Sequence, residues 1–283
     1  MQQLPPLQKD LGGGFLIQRL LPSLEVRSVG PFIFFDHFGP VVVHPADNHD
    51  VRAHPHIGLA TVTWLFEGAM MHRDSLGVEQ RIEPGAINFM TAGRGIVHSE
   101  RRPPDLAQRA FTNHGLQLWL ALPTAHEEAP PAFQHVPAAD VPGARIGAIE
   151  ARVLLGAVGR VHSPVSTPIP ALYLDLSVPE GDHVLPQLAP EAALFGVTGQ
   201  VHVDGQPLLK HHLGVLKGPV TLRGPGRVVL IGGQPVDGPR TLSWNLVSSR
   251  PERVQEATED WIAGRFPAVP GETEFMPFPG RPR

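Results

Sequence analysis

His54-Pro55-His56 and, further along, His98-Ser99-Glu100 are the residues of this chain best suited to chemistry. In each triplet the outer residues are spaced i, i+2, so on a β-strand both side chains project from one face. Two such strands side by side would aim three imidazoles and one carboxylate at a common point. Imidazole suits borderline divalent ions and carboxylate suits harder ones. Four protein ligands on a six-coordinate ion leave positions open for a substrate or dioxygen. Such an oxygen- and nitrogen-rich site points first to iron(II), and manganese, nickel, cobalt or copper would accept the same ligands. Zinc fits less well if the reaction is redox.

One HxH pair would carry little weight in a chain with 15 histidines. Two pairs on apolar runs, each beside turn glycines, carry far more. Burying four polar groups in a barrel without a metal would cost on the order of several kcal/mol. Pro55 fixes its own φ and biases His54 toward an extended backbone, which helps hold two imidazoles in register. The even positions His54, His56, Gly58, Ala60, Val62 and Trp64 read as one inward-facing row. On that row Val62 and Trp64 are expected as core, with a secondary role as the wall of the site. Gly93-Arg94-Gly95 is a turn able to deliver His98 and Glu100 onto a neighbouring strand.

The elements that must position these residues read as β. Glycine (30) and proline (32) punctuate short apolar runs throughout the 283 residues, the pattern of a barrel or sandwich. Strand-like runs fill Phe32–Phe35, Gly58–Phe66, Ala86–Met90 and Gly115–Leu122, with a turn at Asp74-Ser75-Leu76-Gly77. They resume at Ala171–Val178, Ala193–Val197, Gly214–Leu216 and Arg227–Ile231. Helical periodicity occurs near the C-terminus, where Ser249 is the expected cap, Pro251 falls in the first turn, and Val254, Ala257 and Trp261 share a face that ends at Gly264. A Pro/Ala/Glu-rich stretch predicts a linker. The expected division is therefore 1–125, a linker at 126–145, and 146–283. The halves read as a degenerate repeat: Leu185 stands to Gly199 as His54 stands to Gly68. A gap-free extension from Gly85 to Gly214 places Arg227 and Val229 opposite His98 and Glu100, leaving the second half without ligands.

Composition narrows the function classes. A hydrophobic fraction of 42% and a charged fraction of 18% describe a globular protein rather than a disordered one. The absence of cysteine excludes disulfides, thiolate zinc sites and cysteine nucleophiles. Net charge is −4, and no Lys/Arg block provides a footprint for direct nucleic-acid binding. No apolar stretch reaches membrane-spanning length and no signal-peptide pattern opens the chain, so the expected location is the cytoplasm.

Several segments together resemble the pirin family of the cupin superfamily. They are Pro31-Phe32 with Asp36-His37-Phe38-Gly39-Pro40, His54-Pro55-His56-Ile57-Gly58, Glu67-Gly68 with His72-Arg73-Asp74-Ser75, Met90 through Glu100, and Gln117-Leu118-Trp119. The second half matches more weakly, through Trp244-Asn245 and the segment after it. The resemblance implies an all-β bicupin, two stacked cupin β-barrels with a short C-terminal helix and one metal in the N-terminal barrel. It places the ligands on His54, His56, His98 and Glu100. Ordinary cupins draw their Glu from four or five residues after the HxH, where this chain has Ala60 and Thr61. Taking the carboxylate from the second motif is the pirin variation.

Bacterial members are linked to quercetin 2,3-dioxygenase activity and animal members to nuclear transcriptional co-regulation. The leading expectation is an iron(II) dioxygenase acting on a flavonol or similar aromatic enol with O2, with Glu100 as general base. The alternatives are an iron-binding regulatory module working through a protein partner, and a barrel that stores metal. His72, Arg73 and Asp74 are expected to brace the turn, His37 and His114 are candidates for orienting the ligands, and His211-His212 reads as a surface turn. Tyr173, the only tyrosine, suggests nothing catalytic.

Overall fold

The computed structural model describes residues 1–12 and 14–280. Its residues group into two compact units. One comprises Met1–Lys9, Gln18–His37 and Val136–Val236; the other comprises Asp10–Ile17, Phe38–His135 and Asp237–Arg283. Each unit thus includes a terminal segment from the opposite end of the chain. Among the described residues no helix is long and apolar enough to cross a membrane.

In the first unit the strands run in the order Gln2–Leu4, Leu213–Val215, Glu191–Gly199, Val220–Gly233, Ala171–Leu185, Ile149–Leu155 and Gly143–Ile146. Alternate residues of these strands (Ile149, Ala151 and Val153; Leu172, Leu174 and Leu176; Val228 and Leu230) meet in one apolar core. The period of two in the sequence is what builds this face.

The second unit holds the HxH and HxE motifs. A four-stranded sheet runs Val51–His56, Ile96–Arg101, Met70–Asp74, Glu79–Ile82. A second sheet runs Ala132–Val136, Ile87–Thr91, Leu59–Glu67, Phe111–Ala121, and continues into Phe32–Val43, whose residues from Phe38 onward belong to this unit. Among the described residues the strands pair into open sheets rather than a closed barrel, and the expected all-β bicupin, two cupin-type halves with one C-terminal helix, stands.

Gly58 accounts for part of that difference. It adopts φ 66° between the strands Val51–His56 and Leu59–Glu67, and a Cβ there would lie 1.9 Å from the Val247 carbonyl oxygen. The chain turns from one sheet into the other at this point. The even-numbered row therefore does not continue from His56 to Trp64.

The C-terminal segment covers the outer side of the four-stranded sheet. The helix Pro251–Ile262 buries Val254, Ala257 and Trp261 as its spacing predicts. Val254 and Ala257 cluster with Ile57 and Leu246, and Trp261 with Ala53, Val97 and Val269. Ala53 and Val97 alternate with the histidines, so the strands carrying the motifs are packed on the face opposite their imidazoles. Ser249 is not the helix cap. Arg250 holds that position with an extended backbone, and the Ser249 hydroxyl donates instead to Glu127 Oε2 at 2.8 Å.

Strand pairing also corrects the register of the repeat. His54 lies opposite His98 and Glu100 opposite His72, whereas in the other unit Leu185 lies opposite Val220 and Leu222 opposite Val203. Val220 and Leu222, rather than Arg227 and Val229, thus stand where His98 and Glu100 stand. The anchoring glycines are not equivalent, since Gly85 precedes the strand Ile87–Thr91 and Gly214 lies inside Leu213–Val215. All four of these counterparts, Leu185, Val203, Val220 and Leu222, belong to the apolar core.

Gly58→Ala is expected to destabilise the protein by more than about 2 kcal/mol, since a left-handed backbone and a clash with a carbonyl combine. Urea unfolding of the variant measures this, and an unchanged midpoint would refute the account of the turn.

Candidate metal centre

The two motif strands pair antiparallel, with Ile96 opposite His56 and His98 opposite His54. This register, with the i, i+2 spacing, brings the three imidazoles together. One ring nitrogen from each of His54, His56 and His98 lies within 4.8 Å of the others, and all three residues are buried. Ring centroids are 4.4 Å apart for His54 and His98 and 4.9 Å for His54 and His56.

Hydrogen bonds fix which nitrogen faces inward. His54 Nδ1 lies 2.8 Å from the Arg52 carbonyl oxygen and His56 Nδ1 lies 3.2 Å from the Asn245 carbonyl oxygen. A carbonyl only accepts, so each Nδ1 carries the proton and each Nε2 presents its lone pair. His56 Nε2 and His98 Nε2 sit 3.1 Å apart. Metal–nitrogen bonds of about 2.0–2.1 Å place neighbouring ligands of an octahedral ion roughly 3 Å apart. The donor set and its spacing fit a divalent transition ion.

Burial tunes the same groups. It lowers the pKa of His54 to about 4 and drives His56 and His98 well below the ordinary histidine value, with the neighbouring imidazoles adding to the effect. The imidazoles are therefore neutral at physiological pH, the form a metal requires.

Glu100 is half-buried and falls outside the converging trio of nitrogens. The pairing with Val51–His56 shifts register between His98 and Glu100, and on the other side Glu100 lies opposite His72. Burial raises its carboxyl to about 7, which makes it a group able to exchange a proton near neutrality.

The walls of the site differ from the sequence reading. Trp119 sets its ring edge-on to His56, with centroids 5.1 Å apart and planes at 76°. Thr61 pairs with Trp119 and shares its face, so Val62 and Trp64 point to the opposite face. Phe133 stacks on His72 at 4.4 Å. Neither Trp119 nor Phe133 could be placed from the sequence, because both come from strands remote from the motifs.

The groups that hold the imidazoles include the Arg52 and Asn245 carbonyls and His72. His37 Nδ1 meets Gln18 Oε1 at 3.0 Å, and His114 packs on Phe66. His211 lies in a turn at φ 61° but is half-buried against His37 and Phe195.

Known proteins share this architecture. Residues 14–120 match the family model described as pirin and residues 173–267 match the pirin C-terminal cupin domain. The chain is 41% identical to a pirin-like protein of Caulobacter vibrioides, across 96% of both chains. The chain belongs to the pirin family. Another relative, from Pseudomonas aeruginosa, is named "putative quercetin 2,3-dioxygenase" and is 35% identical over 93% of this chain and 84% of its own length. The crystal structure of a quercetin 2,3-dioxygenase from Acinetobacter baumannii superposes with a TM-score of 0.88 at 36% identity, covering 100% of this chain and 97% of that one.

The pKa shifts give this pirin a definite acid response. Histidines depressed in the folded state leave the unfolded chain binding more protons, so stability is full above about pH 6.5 and is lost as pH falls toward about 4. Glu100, raised from 4.5 to about 7, acts in the opposite sense across that interval. Asp36, raised to about 6, acts with Glu100, while His211, lowered to about 4, adds to the three imidazoles, so the depressed histidines outweigh the raised carboxyls. Chelator-treated protein is expected to show a falling thermal midpoint between pH 6.5 and pH 4 in calorimetry, and a rising one would refute the burial account.

Proposed function

We propose that this pirin is an iron(II)-dependent dioxygenase that opens the ring of a flavonol such as quercetin with O2 and releases carbon monoxide. The observation that carries this reading is the convergence of three neutral, buried imidazoles, with the Glu100 carboxyl two residues from His98 on the same strand. The identity of 36% to a structure described as a quercetin 2,3-dioxygenase, over the whole of this chain, supports the substrate class.

His54, His56 and His98 would hold the ion, with Glu100 beside it as fourth ligand or as base. The bound ion supplies Lewis acidity and electron exchange with dioxygen. The chain supplies the rest. The Glu100 carboxylate accepts the proton of the flavonol 3-hydroxyl. Trp119 and Phe133 offer aromatic surface beside the imidazoles for a planar substrate.

The test is oxygen uptake and carbon monoxide release from quercetin by protein loaded anaerobically with iron(II). Equal amounts of the two are expected, lost in His56→Ala together with the metal. Glu100→Gln is expected to lower turnover by about a hundredfold or more while keeping most of the metal. Equal metal loss in both variants would remove the base role. Full metal without turnover would replace the enzyme reading with a regulatory module that acts on a protein partner.

A further inference from the structure

Every ligand imidazole needs an acceptor behind it, and two of the three use backbone carbonyls. His98 differs: its Nδ1 lies 3.4 Å from Nδ1 of His72. His72 Nε2 in turn lies 3.1 Å from Asp74 Oδ2. Both residues are buried, with Asp74 fully enclosed. The other carboxylate oxygen of Asp74 accepts the backbone N–H groups of Leu76 at 2.8 Å and Val78 at 3.1 Å. Asp74 therefore does brace the turn, as the sequence implied, but only with one of its oxygens.

The remaining oxygen sets a chain of tautomers. A carboxylate accepts, so His72 Nε2 carries a proton and His72 Nδ1 is left with its lone pair. That lone pair can bind only a protonated Nδ1 on His98, which leaves Nε2 of His98 as a lone pair facing His56. Phe133 stacks on the His72 ring with planes 19° apart and holds its orientation. The other half of the chain supplies a comparison, since Val203 stands opposite Leu222 where His72 stands opposite Glu100. The scaffold does not need a polar residue at this place.

We propose that Asp74 and His72 are positioning residues for the metal centre: together they fix His98 in the tautomer that presents Nε2 to the ion. The proposal rests on the reading of His54, His56 and His98 as metal ligands. Metal partners that hold a ligand histidine in this way typically contribute 10–100-fold to affinity.

The test measures iron(II), and zinc as a diamagnetic substitute, by competition with a chromophoric chelator in wild-type protein and four variants. His72→Phe removes the acceptor while keeping an aromatic ring against Phe133. Asp74→Asn turns the Oδ2 acceptor into a donor and so reverses the His72 tautomer. Each is expected to weaken metal binding by roughly 10–100-fold, and the double variant is expected to be no weaker than His72→Phe alone. His72→Gln, whose amide can donate to Asp74 and accept from His98, is expected to stay within about threefold of wild type. Long-range nitrogen–proton correlation spectra of the zinc-loaded protein should show His98 protonated at Nδ1. Unchanged affinity in both single variants, or failure of His72→Gln to outperform His72→Phe, would overturn the pairing. Absence of metal binding in wild type would instead overturn the ligand reading itself.

Discussion

The constraint on which the site depends is that a buried imidazole has two nitrogens and both must be accounted for. Turning one lone pair toward a metal obliges the other nitrogen to carry a proton and find an acceptor. Here the acceptors come from different places: the carbonyl of Arg52 on the same strand, the carbonyl of Asn245 from the C-terminal segment, and His72 on the adjacent strand. Burial supplies the rest, since desolvation keeps all three rings neutral. Orientation and charge state are thus set by the fold before any ion arrives.

That arrangement explains why the C-terminal segment packs where it does. The strands carrying the three clustered histidines alternate, with histidines on one face and Ala53, Ile57 and Val97 on the other. The second face is sealed by Leu246, Val254, Ala257, Trp261 and Val269. Ser99, between His98 and Glu100, donates to Glu272 at 2.7 Å, and Glu272 also pairs with Arg101. A shift of this cover would move both histidine-bearing strands and would remove the carbonyl that His56 depends on.

Much of this was legible in the sequence because it rests on local spacing. The i, i+2 pairs, the alternation of apolar residues in Ala171–Val178 and the helical face of Val254, Ala257 and Trp261 need no knowledge of distant contacts. The misreadings arose where a distant contact decides. Gly58 turns the chain between sheets because Val247 approaches it, so Val62 and Trp64 lost their expected face. Ser249 resembles a helix cap, yet buried Glu127 engages it first. The repeat slipped because glycines in a turn and in a strand look alike in sequence. His72 and Asp74 carried the same i, i+2 signature as the ligands, and that signal could have raised their standing.

The dependence of His56 on Asn245 also has a bearing on how the protein is made. The three clustered histidines lie within the first hundred residues of the chain, while the carbonyl that orients one of them belongs to residue 245. On the ribosome, His54, His56 and His98 emerge long before that acceptor exists. A nascent chain therefore exposes histidines that are not yet oriented, and the centre reaches its final geometry only when the last part of the polypeptide folds over it. Completing the three-imidazole cluster is therefore a late event in the folding of this chain.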